Sequence, residues 1–131
     1  MFFQKKIAAQ KDLGAQGEQE ARKFLECKGL IFVAQNYHAF GGEVDLIFKK
    51  PGSDEYIFVE VKTRTGDAAA SGAEAITRQK FQRIIRAGTD FLLKKYPHKE
   101  LPFFEVHAVL VSVDGQRFFC EYIEGIGFDD F

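Results

Sequence analysis

Tryptophan is absent, cysteine occurs only twice, neither sign of charge dominates, and no apolar run is long enough to cross a bilayer. Each shortage removes a class of protein. Without tryptophan, aromatic packing falls to fifteen phenylalanines, so a Phe-rich core is expected. Cys27 and Cys120 lie far apart without a nearby histidine pair, which rules out a cysteine-based zinc site. They read as buried free thiols of a reducing compartment. The N-terminus, Met1-Phe2-Phe3-Gln4-Lys5-Lys6, lacks the long apolar core of a signal peptide. With no membrane span either, a cytoplasmic protein that does not engage a membrane is expected. Lysine and arginine number 18 against 19 acids, a net charge of −1, so there is no global basic footprint. That weighs against tight electrostatic binding of nucleic acid by a lone monomer.

What is present describes a globular chain. Its 131 residues, 46% of them hydrophobic, suit one domain spanning 1–131 with a real core. No repeat, low-complexity tract or second-domain boundary interrupts it. Residues 10–28 carry Leu13, Gly17, Ala21, Phe24 and Leu25 in one stripe at helical spacing, with Glu18 at the edge of the stripe and Gly29 as the stop. A strand is predicted over 30–37 and a flexible loop over His38–Gly42. Ser71-Gly72-Ala73-Glu74 fits a capping box. The helix after it places Phe81, Ile84, Ile85, Gly88, Phe91 and Leu92 on one face, with Gln79, Gln82, Arg83, Arg86 and Asp90 opposite and Lys80 on the flank. Gly88 within the apolar stripe implies close packing on a sheet. Residues 103–113 and 117–123 read as two further strands about a tight turn at Asp114-Gly115, or about a longer loop that takes in Gln116. The tail from Gly125 is expected to pack through Phe128 and Phe131 or to fray. The order suggests an α/β fold with a mixed sheet covered by helices.

The densest chemistry lies in Glu43-Val44-Asp45 and Glu60-Val61-Lys62. Both runs sit in strand-like stretches, 43–50 and 55–64, joined by a turn at Lys50-Pro51-Gly52-Ser53-Asp54-Glu55. Charged residues alternate with apolar ones, so the charges share a face. Closing the turn with Lys50 against Glu55 sets Asp45 opposite Glu60 and Glu43 opposite Lys62. Carboxylates facing each other at roughly 5 Å repel by about 3 kcal/mol at an effective dielectric near 20. A solvated strand face paired with Lys49, Lys62 or Arg64 is the plain reading. The acid-on-acid register argues against it. So does the apolar run Tyr56–Val59, which marks a central strand where charge is costly. A shared proton or a divalent cation relieves the repulsion.

A metal-dependent phosphodiesterase needs such an arrangement. Asp45 and Glu60 are placed to bridge a Mg²⁺ or Mn²⁺ ion, with the Val61 carbonyl as third protein ligand and Glu18 holding the ion through water or binding a second one. Lys62 would orient the attacking water or stabilise charge on phosphorus. Asp45, Glu60 and Lys62 are the catalytic candidates. Glu43 either ligates metal or supports the site by pairing with Lys62. Arg64 either meets a phosphate or forms a surface salt bridge, and Lys80 is the best placed of the helix cations to face nucleic acid. His38, His98 and His107 have no partners at metal spacing.

Asp45 followed by Glu60-x-Lys62 resembles the PD-(D/E)-x-K nuclease core, with Val44 where the motif's name has proline. The wider pattern is Gly14, Gly17-Glu18 and Ala21, Asn36-Tyr37, Gly42-Glu43-Val44-Asp45-Leu46-Ile47 and Phe58-Val59-Glu60-Val61-Lys62-Thr63-Arg64. It resembles the bacterial YraN-type family, itself considered similar to archaeal Holliday-junction resolvases. The likeness runs to about Leu92. It implies a restriction-endonuclease-like α/β core with about five strands and two main helices, metal-site acids at Glu18, Asp45 and Glu60, and a catalytic lysine at Lys62. Hydrolysis of DNA, branched or damaged DNA included, would follow, and the near-neutral charge adds a homodimer or a partner protein to the expectation. The alternative is a nucleic-acid-binding or adaptor module of low turnover on the same fold.

Overall fold

The computed structural model describes residues 2–65 and 76–131, with the backbone alone over 2–11. The chain runs α1 (Phe2–Cys27), β1 (Ile31–Ala39), β2 (Gly42–Lys49), β3 (Tyr56–Thr65), α2 (Arg78–Lys95), β4 (Phe104–Asp114) and β5 (Arg117–Ile126), and closes with a 3₁₀ turn at Phe128–Asp130. The strands form one sheet in the order β1-β2-β3-β4-β5. Every pairing is antiparallel except β3 with β4, which is parallel across the α2 crossover. This is the expected α/β fold, a mixed five-stranded sheet flanked by two helices, with β3 at its centre.

Helix α1 begins well before residue 10. The apolar stripe marks only the part that meets the sheet, and no glycine or proline stops the helix earlier. Its end is built as the glycine implied. Gly29, at φ +93, donates to the Glu26 carbonyl, and Leu30 donates to that of Leu25. Together these form a Schellman closure. Helix α2 is capped by Thr77, whose hydroxyl accepts from the Lys80 N–H at 3.1 Å. The expected connection over 66–70 and the capping box at Ser71–Glu74 lie outside the described residues.

Two cores sandwich the sheet. Val44, Ile47, Tyr56, Phe58, Val106 and Ala108 pack under Phe81, Ile84, Ala87 and Leu92 of α2. On the other face Leu46, Phe48, Ile57, Val59, Val109 and Val111 pack under Ala21 and Leu25 of α1. Two glycines set the spacing. A Cβ on Gly17 would collide with Thr63 Oγ1 of β3, and one on Gly88 would enter the Phe58 ring. The close packing expected at Gly88 is therefore present. The tail also packs as expected, with the Phe128 and Phe131 rings 4.8 and 5.4 Å from that of Phe81.

Four expectations are corrected. His38–Gly42 is not a flexible loop. Ala39 pairs with Gly42, leaving the two-residue turn Phe40-Gly41 at φ +51 and +72, the backbone that a twisted hairpin favours. Asp90 is not on a solvated helix back. It is 8% exposed, accepts from the Tyr37 hydroxyl at 2.5 Å and pairs with Lys94 at 3.1 Å, tying α2 to β1. The thiols are not both buried. Cys27 is exposed in the last turn of α1, and Cys120 on β5 is only partly covered. Finally, the β4–β5 turn is Gly115-Gln116, because Asp114 pairs with Arg117. No described helix is long and apolar enough to cross a membrane.

Candidate functional site

The β2–β3 hairpin has the register read from the sequence. Leu46 pairs with Val59, Ile47 with Phe58, Phe48 with Ile57 and Lys49 with Tyr56, and Lys50 N–H closes the turn on the Glu55 carbonyl at 2.9 Å. The ladder stops one step before Asp45 meets Glu60. There the Asp45 carboxylate takes over as acceptor, receiving the Val61 N–H at 2.8 Å, and its side chain is hydrogen-bonded to that of Glu60. The two acids are thus brought together at the point where β2 and β3 part.

A backbone irregularity aims Asp45 there. Val44 and Ile47 both pack on the α2 side, whereas Leu46 and Phe48 pack on the α1 side, so the alternation of β2 slips by one at Asp45. The β1–β2 ladder skips the same place, where Asn36 stands at φ +51. Asparagine tolerates that left-handed backbone better than most residues. Its side chain hydrogen-bonds Glu18 of α1.

Three acids at this site are held above their ordinary range. For Glu60 the cause is burial first and the Asp45 charge second, opposed by Lys80, and it is pushed up to about 8. Asp45 is raised by burial and by Glu43, while the Val61 N–H and Glu60 hydrogen bonds pull the other way. Glu18 is raised by burial, then by Asp45 and Glu43, against its Asn36 bond. Burial and mutual repulsion thus favour a proton shared within the Asp45–Glu60 pair. Clustered, strongly perturbed acids are a mark of functional sites.

The cations divide unequally. Lys80 reaches across from α2 to Glu60, Nζ to Oε1 3.6 Å. Lys62 lies on β3 two residues past Glu60. It is held below the ordinary lysine range first by the charge of Lys80, then by burial and Arg64, with Glu60 opposing. The partner that faces Glu43 is His38, Nε2 to Oε1 3.7 Å, rather than Lys62, because the β2–β3 ladder opens before Glu43 and Lys62 can face each other. An open cleft of about 470 Å³ lies over the site, lined by Asp45, Glu60, Glu43, Lys80, Arg83 and the β1–β2 turn. The sequence placed Lys80 only on a helix flank. Its ion pair with Glu60 depends on how α2 docks, which helical periodicity does not encode. His38 meets Glu43 because the two pair across the β1–β2 ladder, which the loop expected over 38–42 does not contain.

The donor set suits a hard divalent cation. Asp45 and Glu60 are two adjoining carboxylates. The N–H and C=O of one strand residue point to the same side, which directs the Val61 carbonyl towards Asp45 as well. Two carboxylates and a carbonyl, with remaining positions left to water and phosphate, is the economy typical of Mg²⁺. Among the described residues, no three of His, Cys, Asp and Glu converge as a ready-made metal cage, and Glu18 and Asp45 act on each other through charge.

The sequence pattern of Uncharacterised protein family UPF0102 matches residues 17–114. The chain belongs to that family. UPF0102 proteins similar to it include one from Hahella chejuensis, 38% identical over 91 residues, covering 70% of this chain and 72% of the relative. One from Pelobacter propionicus is 33% identical over 113 residues, with 86% and 80% covered. One from Beutenbergia cavernae is 34% identical over 121 residues, with 92% and 100% covered. The family expected from the motifs is thereby borne out, and the match reaches past Leu92 to the end of β4. UPF0102 membership takes in every site residue named above and leaves β5 and the tail outside the matched span.

Proposed function

We propose that this UPF0102 protein is a Mg²⁺- or Mn²⁺-dependent phosphodiesterase acting on DNA, of the PD-(D/E)-x-K kind. The observation that carries this reading is the pairing of Asp45 with Glu60 at the mouth of the β2–β3 ladder, with Lys62 and Lys80 beside it. A bound divalent ion would supply Lewis acidity at the scissile phosphate and acidify a water. Asp45 and Glu60 would hold that ion, and the Val61 N–H keeps the Asp45 carboxylate in place. Lys62, its proton loosened by Lys80 and burial, exchanges a proton with the attacking water or donates to charge developing on phosphorus. Lys80 draws the phosphate backbone to the cleft, with Arg64 and Arg83 as further contacts. The near-neutral charge gives a second copy of the chain, or a partner protein, a part in delivering substrate.

One observation favours a second reading, a nucleic-acid-binding module of low turnover. Among the described residues the acid pair is not completed by a third ligating acid. A panel of duplex, single-stranded, flapped and four-way-junction DNA incubated with Mn²⁺ separates the two. The nuclease reading expects cleavage that falls by at least about 10²-fold in Asp45→Ala and Lys62→Ala with the fold retained. Binding across the panel with no metal-dependent cleavage supports the module instead.

A further inference from the structure

Phe40 stands at the tip of the β1–β2 turn, 77% exposed and at φ +51. Bulky residues seldom take that left-handed backbone. The turn is nevertheless fixed. Ala39 pairs with Gly42, and Gly42 lies so close under α2 that a Cβ there would collide with the Arg83 carbonyl. The ring is therefore projected from a rigid mount, and no other aromatic ring among the described residues packs on it. Phe40 lines the same cleft as Asp45, Glu60, Lys80 and Arg83, whereas the exposed Phe103 and Phe119 do not. A free aromatic face beside two cations is the composition that accepts a base by stacking and its phosphates by charge.

We propose that Phe40 is a base-stacking platform, holding one unstacked base of a nucleic-acid strand whose neighbouring phosphate reaches Asp45 and Glu60. This rests on the phosphodiesterase reading and adds the substrate class. The preferred strand has a base free to leave its stack, in a single-stranded, flapped or branched region. Continuous duplex, whose base faces are already covered, is the poorer ligand.

The test uses the full chain with Mg²⁺ and oligonucleotides carrying 2-aminopurine in a single-stranded or a duplex segment. Binding to the single-stranded segment should quench the probe. Phe40→Gly, which is at ease with φ +51, should abolish quenching and weaken that binding about 5- to 150-fold, the range of one base–aromatic stack. Phe40→Tyr should restore both, and duplex affinity should change little. Equal affinity and quenching in Phe40→Gly would overturn the platform, and persisting metal-dependent cleavage would then leave the phosphodiesterase reading intact. Phe40-dependent quenching without cleavage by any form would keep the platform and remove the phosphodiesterase. Absence of binding by the wild-type chain would sink both.

Discussion

Glu60→Gln should make the protein more stable in alkaline solution, and the reason can be worked from the site. In the fold Glu60 keeps its proton up to about 8, chiefly through burial, whereas an unfolded glutamate ionises near 4.5. Below 4.5 both states hold the proton, and the group leaves stability unchanged. Between 4.5 and 8 only the unfolded chain releases it, so stability falls as pH rises, by at most about 1.4 kcal/mol per pH unit. The accumulated cost by pH 8 is about 5 kcal/mol. Glutamine is uncharged at every pH and can still donate to Asp45. It gives up the contact with Lys80, worth under about 1 kcal/mol because that lysine is partly solvated and Glu60 keeps its proton over this range. Urea unfolding at pH 5, 6, 7 and 8 in a chelator should therefore show near-equal stability of the two proteins at pH 5. At pH 8 the variant should lead by several kcal/mol. Histidines and acids remote from the site are common to both chains and cancel in the difference, whereas Asp45, which is hydrogen-bonded to Glu60, contributes to it. Adding Mg²⁺ at 100 times its Kd should stabilise the wild type by about 2.7 kcal/mol and the variant by much less. A variant less stable than wild type at pH 8, or a difference constant with pH, would refute the account of a strained acid pair.

Gly88→Ala should destabilise by about 1–3 kcal/mol in chemical denaturation, because the new methyl meets the Phe58 ring. Helix propensity alone predicts a gain of about 1 kcal/mol, so the sign decides between them. Tyr122→Phe removes the hydroxyl that bonds His107 Nδ1 at 2.5 Å. With His107 only 3% exposed, the orphaned nitrogen should cost about 1–3 kcal/mol by the same measurement, and an unchanged midpoint would count against that bond.

The hairpin was the most legible part of the chain because its information is local. The turn composition and the alternation of β2 and β3 together determine the register that opposes Asp45 to Glu60. Gly29 and Gly88 were legible for a similar reason, since each answers a steric demand that only glycine meets. What stayed hidden depends on how distant pieces meet. Nothing in Phe40-Gly41 advertises a tight turn, because phenylalanine is a poor candidate for positive φ and the Gly42–α2 contact that fixes the turn is long-range. Asp90 looks polar by periodicity, and only the docking of α2 on β1 reveals Tyr37 as its partner. The slip at Asp45 is likewise invisible to a pattern that assumes an unbroken alternation.

The parallel joint between β3 and β4 has a consequence for synthesis. Glu60 and Lys62 travel on a strand whose second neighbour emerges from the ribosome only after the whole of α2. Until Phe104–Asp114 appears, that strand is an open border with its backbone groups bare along one side. A nascent or truncated chain ending in α2 would carry every acid of the site and still lack the frame that buries them. The acid pair should therefore be framed and buried late, when the final segment from Phe104 onward arrives.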